Sequence, residues 1–459
     1  MRLSPLLVAL ISMPTLAATN SLDHRFGNGG AIVATKSPLP GVTVRPYGIA
    51  IQSDGKIVIG GRVQDAPPSL ADQPFIGRLN ADGSWDSSFG DSGIFRLPVT
   101  GTVAPTGGEI NHVAVMSDGH ILATGGVFSG PSYPRFSTCV LLMKTDAAGV
   151  LDGTFAGGGD ICFNFDPETS RLGHFESILL DASDGFYMTA PNNNREVAHF
   201  DKNGSLISGY GSGGLATLPP NVYPNVLIAS GADLMAIGVE YESGSYNSAA
   251  AVRVKSDGSI DATYGQSGAL FVDSPSSVID TPDATLDASG RLLIITNDGF
   301  GANYVPYRFF RADAEGSVDV TFNPNGQQPG APGNANLQIA GTTTLNRVDR
   351  VRAIPDGRII AFGDVLEPNT ASNSDVAIVR LNADSSFDTS FGDLGHLGWT
   401  SINIGPAGTD NFVLDVGSDD EGRLYVLTVS ACPAILRLVP DTLLADGFDD
   451  ESLPSACPE

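Results

Sequence analysis

The chain has 459 residues and carries 25 Lys and Arg against 51 Asp and Glu, a formal net charge of −26. That surplus of anions opposes binding to nucleic-acid phosphates and docking on anionic lipid, both of which draw on Lys and Arg. With 55 Gly and only 17% charged residues, the composition is that of short apolar runs joined by tight turns, not of a disordered chain.

Residues 1–18 read as a secretory signal peptide. Met1-Arg2 is basic, Leu6 to Ile11 is apolar, and Ala17-Ala18 offers small residues for cleavage. The apolar run is shorter than the roughly 20 residues that span a bilayer, and no later segment reaches that length. The expected setting is secreted or periplasmic, with no membrane span.

From residue 22 the chain repeats with a period of roughly 60 residues, set by two turn-forming anchors. The first is an Asp-Gly turn between β-branched runs, as in Ile49-Ala50-Ile51-Gln52-Ser53-Asp54-Gly55-Lys56-Ile57-Val58-Ile59. It recurs at Asp118-Gly119, Asp184-Gly185, Ser289-Gly290, Asp356-Gly357 and Glu421-Gly422, with a degraded copy at Ser230-Gly231. Asp-Gly suits the positive φ angles of a two-residue hairpin turn, and the flanking residues favour strands. The second anchor ends in an aromatic-Gly step, as in Asp82-Gly83-Ser84-Trp85-Asp86-Ser87-Ser88-Phe89-Gly90. Its aromatic position is filled by Phe26, Phe89, Phe155, Tyr210, Tyr264, Phe322 and Phe391, spaced 63, 66, 55, 54, 58 and 69 residues apart.

Each unit predicts four short strands, in the first unit near 46–53, 56–63, 75–80 and 93–98. Four antiparallel strands per repeat of this length describe a propeller blade. Residues 22–33 carry only the end of a repeat, and residues 411–438 carry only three strands. Joined, they make one more blade and leave no free sheet edge between the chain ends. The expected fold is all-β: a seven-bladed β-propeller over residues 22–440, with four-stranded antiparallel blades and the last blade closed by the N-terminal strand. The first strand of each unit lines the axis and the fourth is outermost. Residues 441–459 form a C-terminal tail.

The run Asp-x-x-Phe-Gly-x-x-Gly, the strand-Asp-Gly-Lys-Ile-strand element and Arg-Leu-Asn-Ala-Asp-Gly-Ser, quoted from residues 45–63, 75–95 and 376–395, resemble the delta-60 repeat family of bacterial exported proteins. The resemblance implies a propeller-like fold and a secreted setting, and it carries no catalytic residues to transfer. Tail residues Leu444-Ala445-Asp446-Gly447-Phe448-Asp449 look like a short C-terminal segment of some secreted Gram-negative proteins.

The four cysteines allow three pairings. By repeat register, Cys139 opens the third strand of unit two and Cys162 lies in its fourth. Cys432 holds the third-strand position in the last unit, and no cysteine stands at its counterpart, Val33. The expected bridges are Cys139–Cys162 and Cys432–Cys457, the second stapling the tail over the closure blade. Buried free thiols are the alternative reading.

No His-Glu zinc motif, nucleophile elbow or phosphate loop is present. The alternating oxygens of Asn80, Asp82, Ser84 and Asp86 resemble half of a calcium loop. Gly83 is misplaced, however, and Asp91 stands where a bidentate Glu is needed, so a blade turn explains them. No cofactor is expected. Where the inner strands begin, Arg45, Glu109, His112, His174, Glu176, Asp349, Arg350, Asp410 and Asn411 would ring one mouth of the central channel. Loops between second and third strands add Tyr133, Tyr241, Tyr246, Phe300, Tyr304 and Tyr307 on the same face. The function expected is a monomeric, non-enzymatic binding or scaffold protein, its partner a glycan, a small molecule or a protein. A secreted hydrolase or lyase using the mouth's acids and histidines, and a calcium-stabilised structural protein, are the alternatives.

Overall fold

The computed structural model describes residues 22–439 except 24, 28–29, 34–36, 66–71, 98–106, 130–135, 165–176, 190–194, 243–244, 274–278, 299–307, 326–329, 337–345, 367–373, 393–397, 405–408 and 431–432. Apart from one 3-10 turn at Phe155–Gly157, every regular element among these residues is a β-strand.

The strands form five four-stranded sheets and one eight-stranded sheet. The eight-stranded sheet is units one and two, joined by the single parallel bridge Asp72↔Gly107. In unit one the strands are Val42–Ile51, Ile57–Asp65, Asp72–Leu79 and Ile94–Arg96, paired antiparallel in chain order. The last sheet is composite. Ala31–Val33 pairs with Ala434–Leu438 in the register Ala31↔Leu436, Ile32↔Ile435 and Val33↔Ala434. Asp23 N donates to Arg437 O and Arg437 N to Gly30 O, which extends the join.

The Asp-Gly hairpins differ in detail from the expected two-residue turns. Gln52 N donates to Lys56 O and Gly55 N to Gln52 O. Only the glycine takes the left-handed conformation, with φ +81°. The aspartate instead accepts Lys56 N on Oδ1 at 3.1 Å. This is a longer loop with one left-handed residue, in which Asp caps the turn and Gly bends it. Unit three shifts the pattern by one residue. Asp184 takes the positive φ of 61° and its carboxylate accepts Ser117 N of unit two at 2.8 Å.

The core lies between units. In Ser374–Leu381 every residue is buried, and alternate side chains serve two different layers. Val376 and Ile378 pack with Val413, Val416 and Val426 of unit seven, while Ala377, Val379 and Leu381 pack with Leu293, Ile295 and Phe309 of unit five. A further layer joins Val44, Ile49 and Ile57 of unit one to Tyr425, Leu427 and Ile435 of the composite unit.

A basic residue or histidine of each third strand packs on the aromatic of its own unit, and in units one, two, four and five it also reaches a carbonyl of the next unit. Arg78 lies over the Phe89 ring at 4.7 Å, donates to Asp86 Oδ2 at 2.8 Å and reaches Ala147 O of unit two. Lys144, Arg253, Arg311 and Arg380 stack on Phe155, Tyr264, Phe322 and Phe391 in the same way. In the composite unit Arg437 stacks on Phe26 and pairs with Asp23 at 2.9 Å. Unit three uses His199, edge-on to Tyr210 at 5.1 Å and 2.8 Å from Asp181. The oxygens of the calcium-like run are engaged within this turn: Asp82 Oδ1 accepts from Ser84 N and Oγ, and Asp86 Oδ1 from Ser88 N and Oγ.

Candidate binding site at the inner strands

First strands of successive units lie side by side, and that of unit one lies beside that of unit seven. All six first strands with a full ladder carry a bulge, for example between Pro46 and Gly48, Ile110 and His112, and Val348 and Arg350. Opposite the bulge the second strand often has glycine. A Cβ at Gly61, Gly125, Gly238 or Gly363 would lie 2.1, 1.9, 1.8 or 1.6 Å from the carbonyl oxygen of Arg45, Glu109, Tyr223 or Arg347. The bulge divides the inner face into two levels.

The deeper level is Gly48, His112, Ser177, Val226, Asp283, Arg350 and Asp415, which hold equivalent register positions. Several of these side chains cap the neighbouring unit. Asp415 Oδ2 accepts Ile49 N at 3.0 Å, Asp283 Oδ2 accepts Val351 N at 2.8 Å, and Ser177 Oγ accepts Leu227 N at 3.1 Å. Arg350 Nε is 3.6 Å from Asp415 Oδ1, and Arg352 Nη1 is 3.2 Å from Asp283 Oδ2. Burial pulls the His112 imidazole below its usual range, and Arg350 adds to this against the opposing pull of Asp415. His112 and Arg350 thus lie on the hairpin-turn side of the bulge, the opposite side from Glu109 and Arg347.

The outer level holds two charged joints. Between units one and two, Arg62 Nη1 lies 3.4 Å from Asp72 and 3.6 Å from Glu109, over the Tyr47 ring at 5.7 Å. Burial and the Glu109 charge raise the Tyr47 hydroxyl to about 12. Between units six and seven, Asn411 N donates to Ser374 O at 2.8 Å, and Ser374 N to Asp410 Oδ1 at 3.1 Å. Arg347 Nε holds Asp349 Oδ1 at 2.6 Å. Asp364 is 7% exposed. Burial and then the Asp349 charge push its carboxyl up to about 8, against the attraction of Arg347.

Of the expected residues, the structure brings Asp349, Asp410 and Asn411 together at one joint and places Glu109 at the other. Arg45 is exposed on the first strand, cross-strand from Arg62. His174, Glu176 and Tyr304 lie outside the described residues, as do Tyr133, Phe300 and Tyr307. Tyr241, at the end of the second strand Asp233–Glu242, lies edge-on against Tyr223 of the first strand at 6.0 Å. Strand register pairs Cys139 with Asn164 and Leu141 with Cys162. The two cysteines are diagonal in register, and their side chains, with Cys432 and Cys457, lie outside the described residues. Arg62, Asp72 and Asp364 were missed because they come from second and third strands. Aligning Asp364 with Arg62 in the repeat would have found the reversal of charge.

A family model described as a domain of unknown function (DUF5122) beta-propeller matches residues 52–89 and 354–391. The chain carries β-propeller repeats. No curated protein matches the chain. Among solved structures, the chain is similar to a PL25 ulvan lyase, a polysaccharide lyase bound to -[GlcA(1-4)Rha3S]-, at 11% identity and TM-score 0.48, covering 92% of this chain and 94% of that one. It is similar to the β-propeller domain of the trilobed protease from Pyrococcus furiosus, described as having an open velcro topology, at 7% identity and TM-score 0.41, covering 89% and 98%. It is also similar to a protein of unknown function from Dyadobacter fermentans, at 11% identity and TM-score 0.39, covering 74% and 99%.

Proposed function

We propose that the seven units close into a seven-bladed toroid of the delta-60 repeat type, and that the exported protein is a non-enzymatic, monomeric binding or scaffold module. Its ligand, a glycan, small molecule or protein segment, is taken at the mouth where the first strands begin. The observation that carries this reading is a contrast within the repeat. The basic-aromatic clamp recurs from unit to unit, whereas the first-strand positions just outside the bulge diverge into Arg45, Glu109, Tyr223 and Arg347, and their cross-strand partners into Arg62, Gly126, Val239 and Asp364. A scaffold repeats what holds it together and varies what it presents. Binding is favoured over hydrolysis or elimination because inner charges are committed to the joints: Asp415 and Asp283 hold neighbouring amides and arginines. A general base needs a free lone pair within reach of substrate.

The test is a thermal-shift screen of glycans, metabolites and peptides on the mature chain, repeated with Arg62→Ala and Asp349→Asn. A hit lost in either variant and kept in Asp257→Asn, an exposed turn residue, supports the reading. Hits indifferent to both mouth substitutions, or turnover of a bound compound that His112→Ala abolishes, would overturn it.

A further inference from the structure

Arg62 of unit one and Asp364 of unit six hold the same place in the repeat. Arg45 faces Arg62, and Arg347 faces Asp364, in equivalent strand register. In the first joint the Arg62 guanidinium is shared between Asp72 of its own unit and Glu109 of the next. In the other joint that cation is replaced by an acid. Asp364 continues the face of Ile360 and Phe362, which packs against unit seven. The charges acting on it there are Asp349, Asp410 and Arg347, and Arg347 already holds Asp349 at 2.6 Å.

Two oxygens at this joint lack donors. Asp364 Oδ1 is buried with no hydrogen-bond partner, and so is Asn411 Oδ1. A buried acceptor left unpaired loses its hydration without return, so such atoms mark a missing donor. Among the described residues no three His, Cys, Asp or Glu side chains are arranged to hold a metal ion. A planar cation with several N–H donors suits two carboxylates and an amide oxygen better.

We propose that the joint between units six and seven is a seat for a guanidinium group, from an arginine side chain of a partner or an arginine-like small molecule, standing where Arg62 stands in the first joint. The inference rests on the mouth being the binding face and names the chemistry of one ligand group there.

The experiment titrates N-acetyl-arginine amide into the mature protein at pH 8, following aspartate side-chain carbons by NMR. Neutral N-acetyl-citrulline amide and calcium chloride are the comparison probes. Saturable binding of the arginine amide alone is expected, weakened roughly tenfold or more in Asp364→Asn. In Asp364→Arg, which rebuilds the Arg45–Arg62 arrangement with Arg347, binding is expected to vanish while the melting temperature holds or rises. Equal binding of the citrulline probe, unchanged affinity in a folded Asp364→Asn, response to calcium alone, or no binding would each overturn the seat. A screening hit that maps to Arg62 and ignores arginine amide would defeat this inference and leave the binding function standing.

Discussion

Arg311 lies over the ring of Phe322, its guanidinium carbon 4.8 Å from the ring centroid. The same group holds Asp319 at 2.8 Å and donates to Ala383 O of unit six, so one side chain ties three parts of the fold. Arg311 and Asp319 are 3% and 8% exposed, which places the pair in the buried regime, where removing one partner strands a charge. Arg311→Met should cost about 3–5 kcal/mol. Arg311→Met with Asp319→Asn should recover much of that loss. Urea unfolding of the three proteins checks both statements.

Gly363 meets the first-strand bulge so closely that an added Cβ would lie 1.6 Å from Arg347 O. Backbone, unlike a flexible side chain, cannot step aside cheaply. Gly363→Ala should destabilise by about 1–3 kcal/mol or more. Gly209, with nothing within 4 Å of its virtual Cβ, is the control, and Gly209→Ala should change little. Melting temperatures of the two variants decide the matter.

The acid-side behaviour follows from the turn aspartates. The Thr154 hydroxyl, and then Lys144 against some burial, hold Asp152 at about 2. Burial pushes Asp388 up, but Ser390, Arg358 and Arg380 hold it at about 2. Both folded values lie below the unfolded value near 3.8, so their stabilisation is present above pH about 4 and is lost as pH falls toward 2. A urea midpoint that declines over that window is expected, and Asp388→Asn should flatten part of the decline.

Asp364 behaves in the opposite sense. Its folded value of about 8 lies above the unfolded one, so the cost of ionising it is absent below pH about 4, grows as pH rises, and is complete above about 8. The cost is on the order of 5 kcal/mol at most. Relative to wild type, Asp364→Asn should gain stability between pH 5 and 8.5. Parallel urea curves at the two pH values, with Asp349, Asp410 and Arg347 intact, measure the difference.

Much of the fold was legible because its signals are local. Glycine at the hairpin turns and aromatics at near-regular spacing mark the units, and residues 22–33 announce the borrowed strand by carrying only a repeat's end. The clamp is legible too. Lys144, His199, Arg253, Arg311 and Arg380 each stand eleven residues before their aromatic, as Arg78 does before Phe89. The site was less readable. The bulge brings a first-strand carbonyl close against Gly61 or Gly363, a cross-strand contact that no single-strand pattern displays, so the division of the inner positions by the bulge was not readable. Joint charges such as Arg62 and Asp364 gather from different strands and become neighbours only through register.

The proposed ring depends on the N-terminal strand completing the last sheet, where Ile32 faces Ile435. Ile32→Cys with Ile435→Cys, oxidised and mapped by mass spectrometry of peptides, tests it directly. The account predicts a bridge between residues 32 and 435 within one monomer, formed under mild oxidation and leaving the melting temperature equal or higher. Free thiols at both positions, or bridges found only between two molecules, would contradict it.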